Sequence, residues 1–287
     1  MKKADLVIDI KTDLGECPTW DYKSECLYWI DIYGCKIYKY VPATNEIRVW
    51  ETPSSVGSIA LHEDGNMIVA LTDGVYYFDL GTEVYTLIVD FTFNKNLRFN
   101  DGKCDPKGRF WVGSMAVDQE CSDAFQAGAL YKMDKMRLKE MISDVSISNG
   151  LAWWQSRMYY IDTYTNEVVS YDFDENLGKI TNKSLCISFQ DEIGCPDGMT
   201  IDEQGMLWIA HWGGYKVSRW DPKTGKKIEE IKVPAENVTS ITFGGIQLNE
   251  LYITTEKQGV YKVALDIKGR NTFLVRHNKR SEEWQIK

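Results

Sequence analysis

The sequence predicts an all-β protein, a six-bladed β-propeller with four antiparallel strands per blade, formed by residues 1–287 as a single domain. Three observations predict it. The first is a repeat. Segments 27–40 (LYWIDIYGCKIYKY), 67–80, 109–134, 157–174, 206–221 and 251–265 each read as an apolar strand, a polar turn and a second strand ending in an aromatic or basic residue. They return roughly every 40–50 residues, the period of propeller blades. The second is a strand before each copy, at 19–20, 58–61, 102–105, 151–154, 199–202 and 240–243. Each is followed by a turn, most of them rich in Gly, Asp or Asn, residues that tolerate the backbone hairpins need. The third is a further strand after most copies, readable at 47–50, 84–89, 139–143, 185–187 and 227–233.

The chain ends bear on closure of the ring. Segments 5–10 (DLVIDI) and 272–276 (TFLVR) both read as strands, and the first is expected to join the last blade. A closed ring protects strand edges that would otherwise invite pairing with other chains. Helical spacing is nearly absent; the one ambiguous stretch, 133–142, is read as strand.

Composition narrows the function classes. A net charge of −9 argues against a nucleic-acid or anionic-membrane surface and mildly favours a bound cation. No apolar run approaches the roughly 20 residues that span a bilayer, and 1–13 carries no apolar core of a signal peptide. Seven cysteines, an odd number with no C-x-x-C pair, suit a reducing, cytoplasmic compartment and free thiols. The expected state is a monomer or small homo-oligomer.

Aligned on their first strands, four blades carry polar residues at the strand entrance: Glu16 beside Gly15, Asn100 before Asp101-Gly102, Asn149 before Gly150, and Asp197 before Gly198. A propeller brings such positions together at one mouth of its channel. Two carboxylates and two amide oxygens form a hard donor set suited to Ca²⁺, Mg²⁺ or Mn²⁺ and acceptable to Zn²⁺. His62, His211 and His277 share no ligand spacing and are expected in structural or surface roles. Asp202 and Asp221 read as turn caps, and Trp153, Trp154, Trp208, Trp212 and Trp220 mostly as core between blades.

The motifs LGECPTW (14–20), RFNDGKCDPKGRFWVGSM (98–115), SNGLAW (148–153), PDGMTIDEQGMLWIAHWGG (196–214) and VTSITFGG with ELYITT (238–255) resemble the regucalcin family, which includes senescence marker protein 30, gluconolactonases and luciferin-regenerating enzymes. They cover nearly the whole chain in the family's order. The resemblance implies one divalent cation held by Glu16, Asn149 and Asp197, with Asn100 nearby. It matches Arg98 and Asn100 to residues that contact a sugar substrate, and Asp118 to an acidic substrate contact whose side chain is here shorter. The family's LGEGP is LGECP in this chain, so Cys17 replaces a glycine, and Cys195 adds a second thiol nearby.

The expected activity is therefore divalent-metal-dependent hydrolysis of a sugar lactone to the aldonic acid, with Asp197 as the base acting on water. The alternatives are an esterase, phosphotriesterase or non-sugar lactonase on the same site, or a non-enzymatic calcium-binding propeller.

Overall fold

The computed structural model describes residues 2–92, 95–134 and 136–276; His277, and Lys135 of the stretch read as strand at 133–142, lie outside them. Six antiparallel sheets ring a central channel. The first strands of the blades, Gly15–Asp21, Val56–Leu61, Leu97–Cys104, Ser148–Trp154, Cys195–Ile201 and Val238–Gly244, line that channel. Their burial explains their composition: small and apolar residues dominate because these strands are covered on both faces. The only helical turn among the described residues is Thr163–Thr165. The 133–142 stretch is the end of one strand, a turn and the start of Arg137–Val145.

Six apolar clusters hold the ring, one in each seam between neighbouring blades. Trp29, Trp111, Trp153 and Trp208 are fully buried anchors in these seams. Truncating one of them to alanine would cost roughly 3–5 kcal/mol. Asp105 and Asp202 tie turn to seam in the same manner. Each accepts backbone N–H groups of its own turn on one oxygen and the indole N–H six residues on, Trp111 or Trp208, on the other. Asp221 likewise caps its turn through Lys223 N and Thr224 Oγ1.

The N-terminal strand closes the ring as expected. Asp5–Ile8 pairs with Val260–Ala264 and supplies the outer strand of the sixth blade. Lys2–Lys3 adds a fifth, two-residue strand to the fifth blade, parallel to Lys226–Lys232, so the same few residues tie the fifth blade to the sixth.

The other chain end departs from expectation. Residues 272–276 form no sheet strand; only Val275 makes an isolated bridge, to His62. Instead 268–276 runs across the end of the channel remote from the strand entrances and touches every blade. Thr272 Oγ1 donates to Trp20 O. Val275 N donates to Leu61 O, Arg276 N to Gly108 O, Glu203 N to Lys268 O and Gly269 N to Leu248 O. Arg270 lies over the Trp154 ring of the fourth blade. The reason is geometric: the closing place in the last blade is taken by Asp5–Ile8, and buried backbone groups at the channel floor need partners.

Candidate functional site

Each first strand is interrupted at its entrance by a β-bulge, one residue longer than its partner strand. A bulge bends the strand and re-aims a side chain. In four blades the shift spans two residues: Cys17-Pro18, Asn100-Asp101, Asn149-Gly150 and Asp197-Gly198. In the second and sixth blades it spans one, Gly57 and Thr239. Register therefore makes Cys17, not Glu16, the counterpart of Asn100, Asn149 and Asp197. Glu16 stands one position earlier, before a left-handed backbone at Cys17 (φ 49°), and its Oε2 accepts from Cys17 N at 2.7 Å.

The glycines that follow are required by close approach. A Cβ on Gly150 would sit 2.8 Å from Asp197 O and 2.6 Å from the Met199 Cβ, so the fourth and fifth blades can bring their bulges together only without it.

A hydrogen-bond chain orients the amides. Thr163 Oγ1 donates to Pro196 O (2.8 Å), which leaves it as acceptor for Asn149 Nδ2 (2.7 Å). Asn149 Oδ1 consequently faces the channel, where Asn100 Nδ2 approaches it at 3.2 Å and also donates to Ser148 O. Asn100 Oδ1 accepts from Arg98 Nη1 at 2.8 Å, and the same guanidinium donates to Phe99 O. Arg98 is buried, and its Nε has no hydrogen-bond partner within the chain.

Charge crowding is the main electrostatic feature. Glu16 is buried and its carboxyl is pushed from 4.5 up to about 8, by desolvation first and by Asp101 second. Asp197 is pushed well above the usual carboxylate range by burial, then by Glu16 and Asp101. Asp101, unmarked in the sequence reading, belongs to the same group: it is raised by burial, and its Oδ2 is buried with no partner. Lys103 lies beneath them, its Nζ donating across the channel to Met199 O at 2.6 Å. Burial lowers its proton affinity, while Asp101, Cys17 and Glu16 favour the charged form. Below these groups is a chamber of about 80 Å³ bordered by Cys17, Asp101, Lys103, Thr242, Asn271 and Thr272. The 268–276 segment forms its floor, so the entrance side is the open approach to Glu16 and Asp197.

Asp118 stands apart from this buried group, on the exposed 117–127 loop, where its Oδ1 accepts from Glu120 N. His211 is buried between Ile193 O and Ser218 Oγ, and burial lowers it to about 4, so it is a neutral structural residue. His62 pairs with Asp64 on the opposite side of the ring. Cys17 and Cys195 are both free; Cys17 Sγ lies 3.4 Å from Ser58 Oγ, and burial pushes its thiol up to about 11.

Among the described residues no three His, Cys, Asp or Glu side chains form a ligand set by themselves. The donor set is instead mixed: two carboxylates close enough to repel each other, an amide oxygen turned away from Thr163 toward Asn100, and an unpaired acid oxygen alongside. All are hard oxygens, and the set fits a small divalent cation.

Residues 14–257 match the family model described as the SMP-30/Gluconolactonase/LRE-like region. The chain belongs to that family. It is 40% identical over 254 residues to the Bacillus subtilis protein named "Putative sugar lactone lactonase YvrE", covering 87% of this chain and 86% of that one. Regucalcin of Danio rerio is 35% identical over 266 residues, covering 92% and 90%. A solved luciferin-regenerating enzyme superposes with a TM-score of 0.89 at 30% identity, covering 95% of this chain and all of that one. A regucalcin of Agrobacterium tumefaciens, described as a calcium-binding protein, superposes equally well (TM-score 0.89) at 25% identity, covering 96% and 100%. The family's propeller is thus the fold seen here. No described helix is long and apolar enough to cross a membrane.

Proposed function

We propose that this protein hydrolyses a sugar lactone to the aldonic acid at the bulged entrance of its channel, with one divalent cation held by Glu16, Asn149 and Asp197. The observation that carries the reading is the packing of two buried, mutually repelling carboxylates against an oriented amide oxygen and a buried arginine with a free N–H. Such a group is costly without a ligand. The names of relatives as sugar lactone lactonase and regucalcin support the same direction.

A bound cation would supply Lewis-acid polarisation of the ester carbonyl and stabilise the oxyanion. The chain's residues do the rest. Asn149 presents its oxygen because Thr163 holds its nitrogen. Asp197, ionised when a positive charge offsets Glu16 and Asp101, takes a proton from the attacking water. The ring C–O bond breaks, the proton passes to the departing oxygen, and the product is a hydroxy acid. Arg98, held on Asn100 and Phe99, would offer its guanidinium to substrate hydroxyls or the new carboxylate. Asp118, on the exposed loop, would meet the part of the substrate that projects from the mouth.

The test is lactone opening followed by a pH indicator, with metal-stripped and reconstituted protein and with Asp197→Asn. Hydrolysis that needs the cation and falls at least a hundredfold in the variant supports the reading. Full turnover after metal removal rejects it.

A further inference from the structure

Two mouth-side turns repeat one design. In the first blade the turn reads Ile30-Asp31-Ile32-Tyr33-Gly34-Cys35, and in the fourth Ile161-Asp162-Thr163-Tyr164-Thr165-Asn166. Asp31 accepts from Asp13 N, Leu14 N and Gly34 N; Asp162 accepts from Ser146 N, Ile147 N and Tyr164 N. Each aspartate thus ties its turn to the connector that leads into its own blade's bulge. Both turns end in the left-handed region, at Cys35 and Asn166, each with φ 53°. A Cβ on Gly34 would come within 2.6 Å of the Asp31 carboxyl carbon, so the first turn is tightly wrapped on its anchor.

Each turn holds up one tyrosine at the same position. Tyr33 is 55% exposed and Tyr164 62% exposed. No other blade has a tyrosine at that position: the second has only Thr72-Asp73 between its strands, the third has the long 117–127 loop, the fifth has Gly213 there with exposed Tyr215 two residues on, and the sixth has Lys257. In a six-membered ring the first and fourth blades face each other across the axis. The two tyrosines therefore stand on opposite sides of the mouth.

Neither ring is needed by the core, but only Tyr33 lies against the site. Its ring centre is 5.5 Å from the Arg98 guanidinium and its hydroxyl 3.5 Å from Nη2. Tyr164 packs on Phe125 at 5.0 Å between ring centres and lines the crevice between the third and fourth blades with Val169, Tyr171 and Lys183. Exposed aromatic rings on rigid backbone are low-entropy surfaces for stacking.

We infer that Tyr33 is a specificity-determining residue. It presents an aromatic face beside Arg98 to the ring of a cyclic, hydroxylated substrate. This rests on the hydrolase reading for its substrate but not for its test. A saturated sugar ring offers C–H faces that stack on aromatic carbon, whereas γ-butyrolactone carries the same ester with no hydroxylated body to hold.

The test compares wild type, Tyr33→Ala, Tyr164→Ala and Tyr33→Phe on δ-gluconolactone and γ-butyrolactone, together with calorimetric titration of gluconate. Tyr33→Ala is expected to raise KM for gluconolactone three- to tenfold with kcat within about twofold, the range a stacked ring contributes. Its loss in kcat/KM on γ-butyrolactone should be at least threefold smaller, and gluconate should bind correspondingly more weakly. Tyr33→Phe, which keeps the ring, and Tyr164→Ala, whose ring lines the outer crevice, should stay near wild type. Unchanged gluconate affinity in Tyr33→Ala overturns the inference. So does an equal loss on both lactones, which would mean that Tyr33 only supports Arg98. A wild type that opens neither lactone refutes the hydrolase reading instead, and the gluconate titration alone then decides Tyr33.

Discussion

Glu16 gives the most direct physical handle on the site. In the unfolded chain its carboxyl loses a proton near 4.5; in the folded, metal-free protein it does so only near 8. Between those values the folded state binds the proton that the unfolded state releases. Stability is therefore highest below 4.5 on this account and is lost as pH rises toward 8. At about 1.4 kcal/mol per pH unit the full interval corresponds to about 5 kcal/mol, and the part between pH 5 and 8.5 to about 4 kcal/mol. Glu16→Gln cannot ionise and should lack this contribution. The assay is urea denaturation of chelator-treated wild type and Glu16→Gln at pH 5 and 8.5. The comparison removes what the two proteins share; surface carboxylates such as Asp79 and Asp90, held below the usual range by turn N–H groups, stay ionised across this interval and add nothing to either slope. Wild type should lose several kcal/mol more than the variant on going to pH 8.5, and excess Ca²⁺ or Mn²⁺ should restore wild type alone. Equal pH slopes for the two proteins would refute the reasoning.

Other outcomes follow from the same geometry. Thr163→Val removes the acceptor that orients Asn149 and leaves Pro196 O without its donor; a loss of about 1–3 kcal/mol in chemical denaturation should accompany weaker cation binding by calorimetry. Gly150→Ala forces apart Asp197 and Met199, so lactone turnover should drop at least tenfold while the circular dichroism spectrum stays that of the wild type. Cys17, with its thiol pushed up to about 11 and its side chain buried, should resist iodoacetamide at pH 8 while exposed Cys121 is alkylated first, as read by peptide mass mapping.

The blades were legible because each one repeats the same order of apolar strand, turn and strand, and that order survives changes of individual residues. The bulge residues Asn100, Asn149 and Asp197 were legible because each stands beside a glycine or an aspartate-glycine pair that breaks the strand pattern. Glu16 was found by the same alignment, yet pairing register sets it one residue earlier than the others, a shift only the backbone reveals. Asp101 went unmarked, although a signal existed: it occupies the bulge position where other blades have Pro18, Gly150 and Gly198. Lys103 and Thr163 were out of reach, because their roles depend on Met199 O and Pro196 O in other blades. The 272–276 segment has strand composition, but the closing place in the last blade belongs to Asp5–Ile8 and the segment crosses the channel floor instead.

The pairing of Leu6 with Tyr261 has a consequence for how the chain reaches its native state. Nearly the whole polypeptide lies between those two residues, so Asp5–Ile8, made first, has no partner until synthesis is almost finished. Until then its strand edges are open to other chains. Contacts this distant in sequence also slow folding. A permuted gene that places 2–8 after 276 makes the closing pair local in sequence and should raise the soluble yield by speeding closure of the ring.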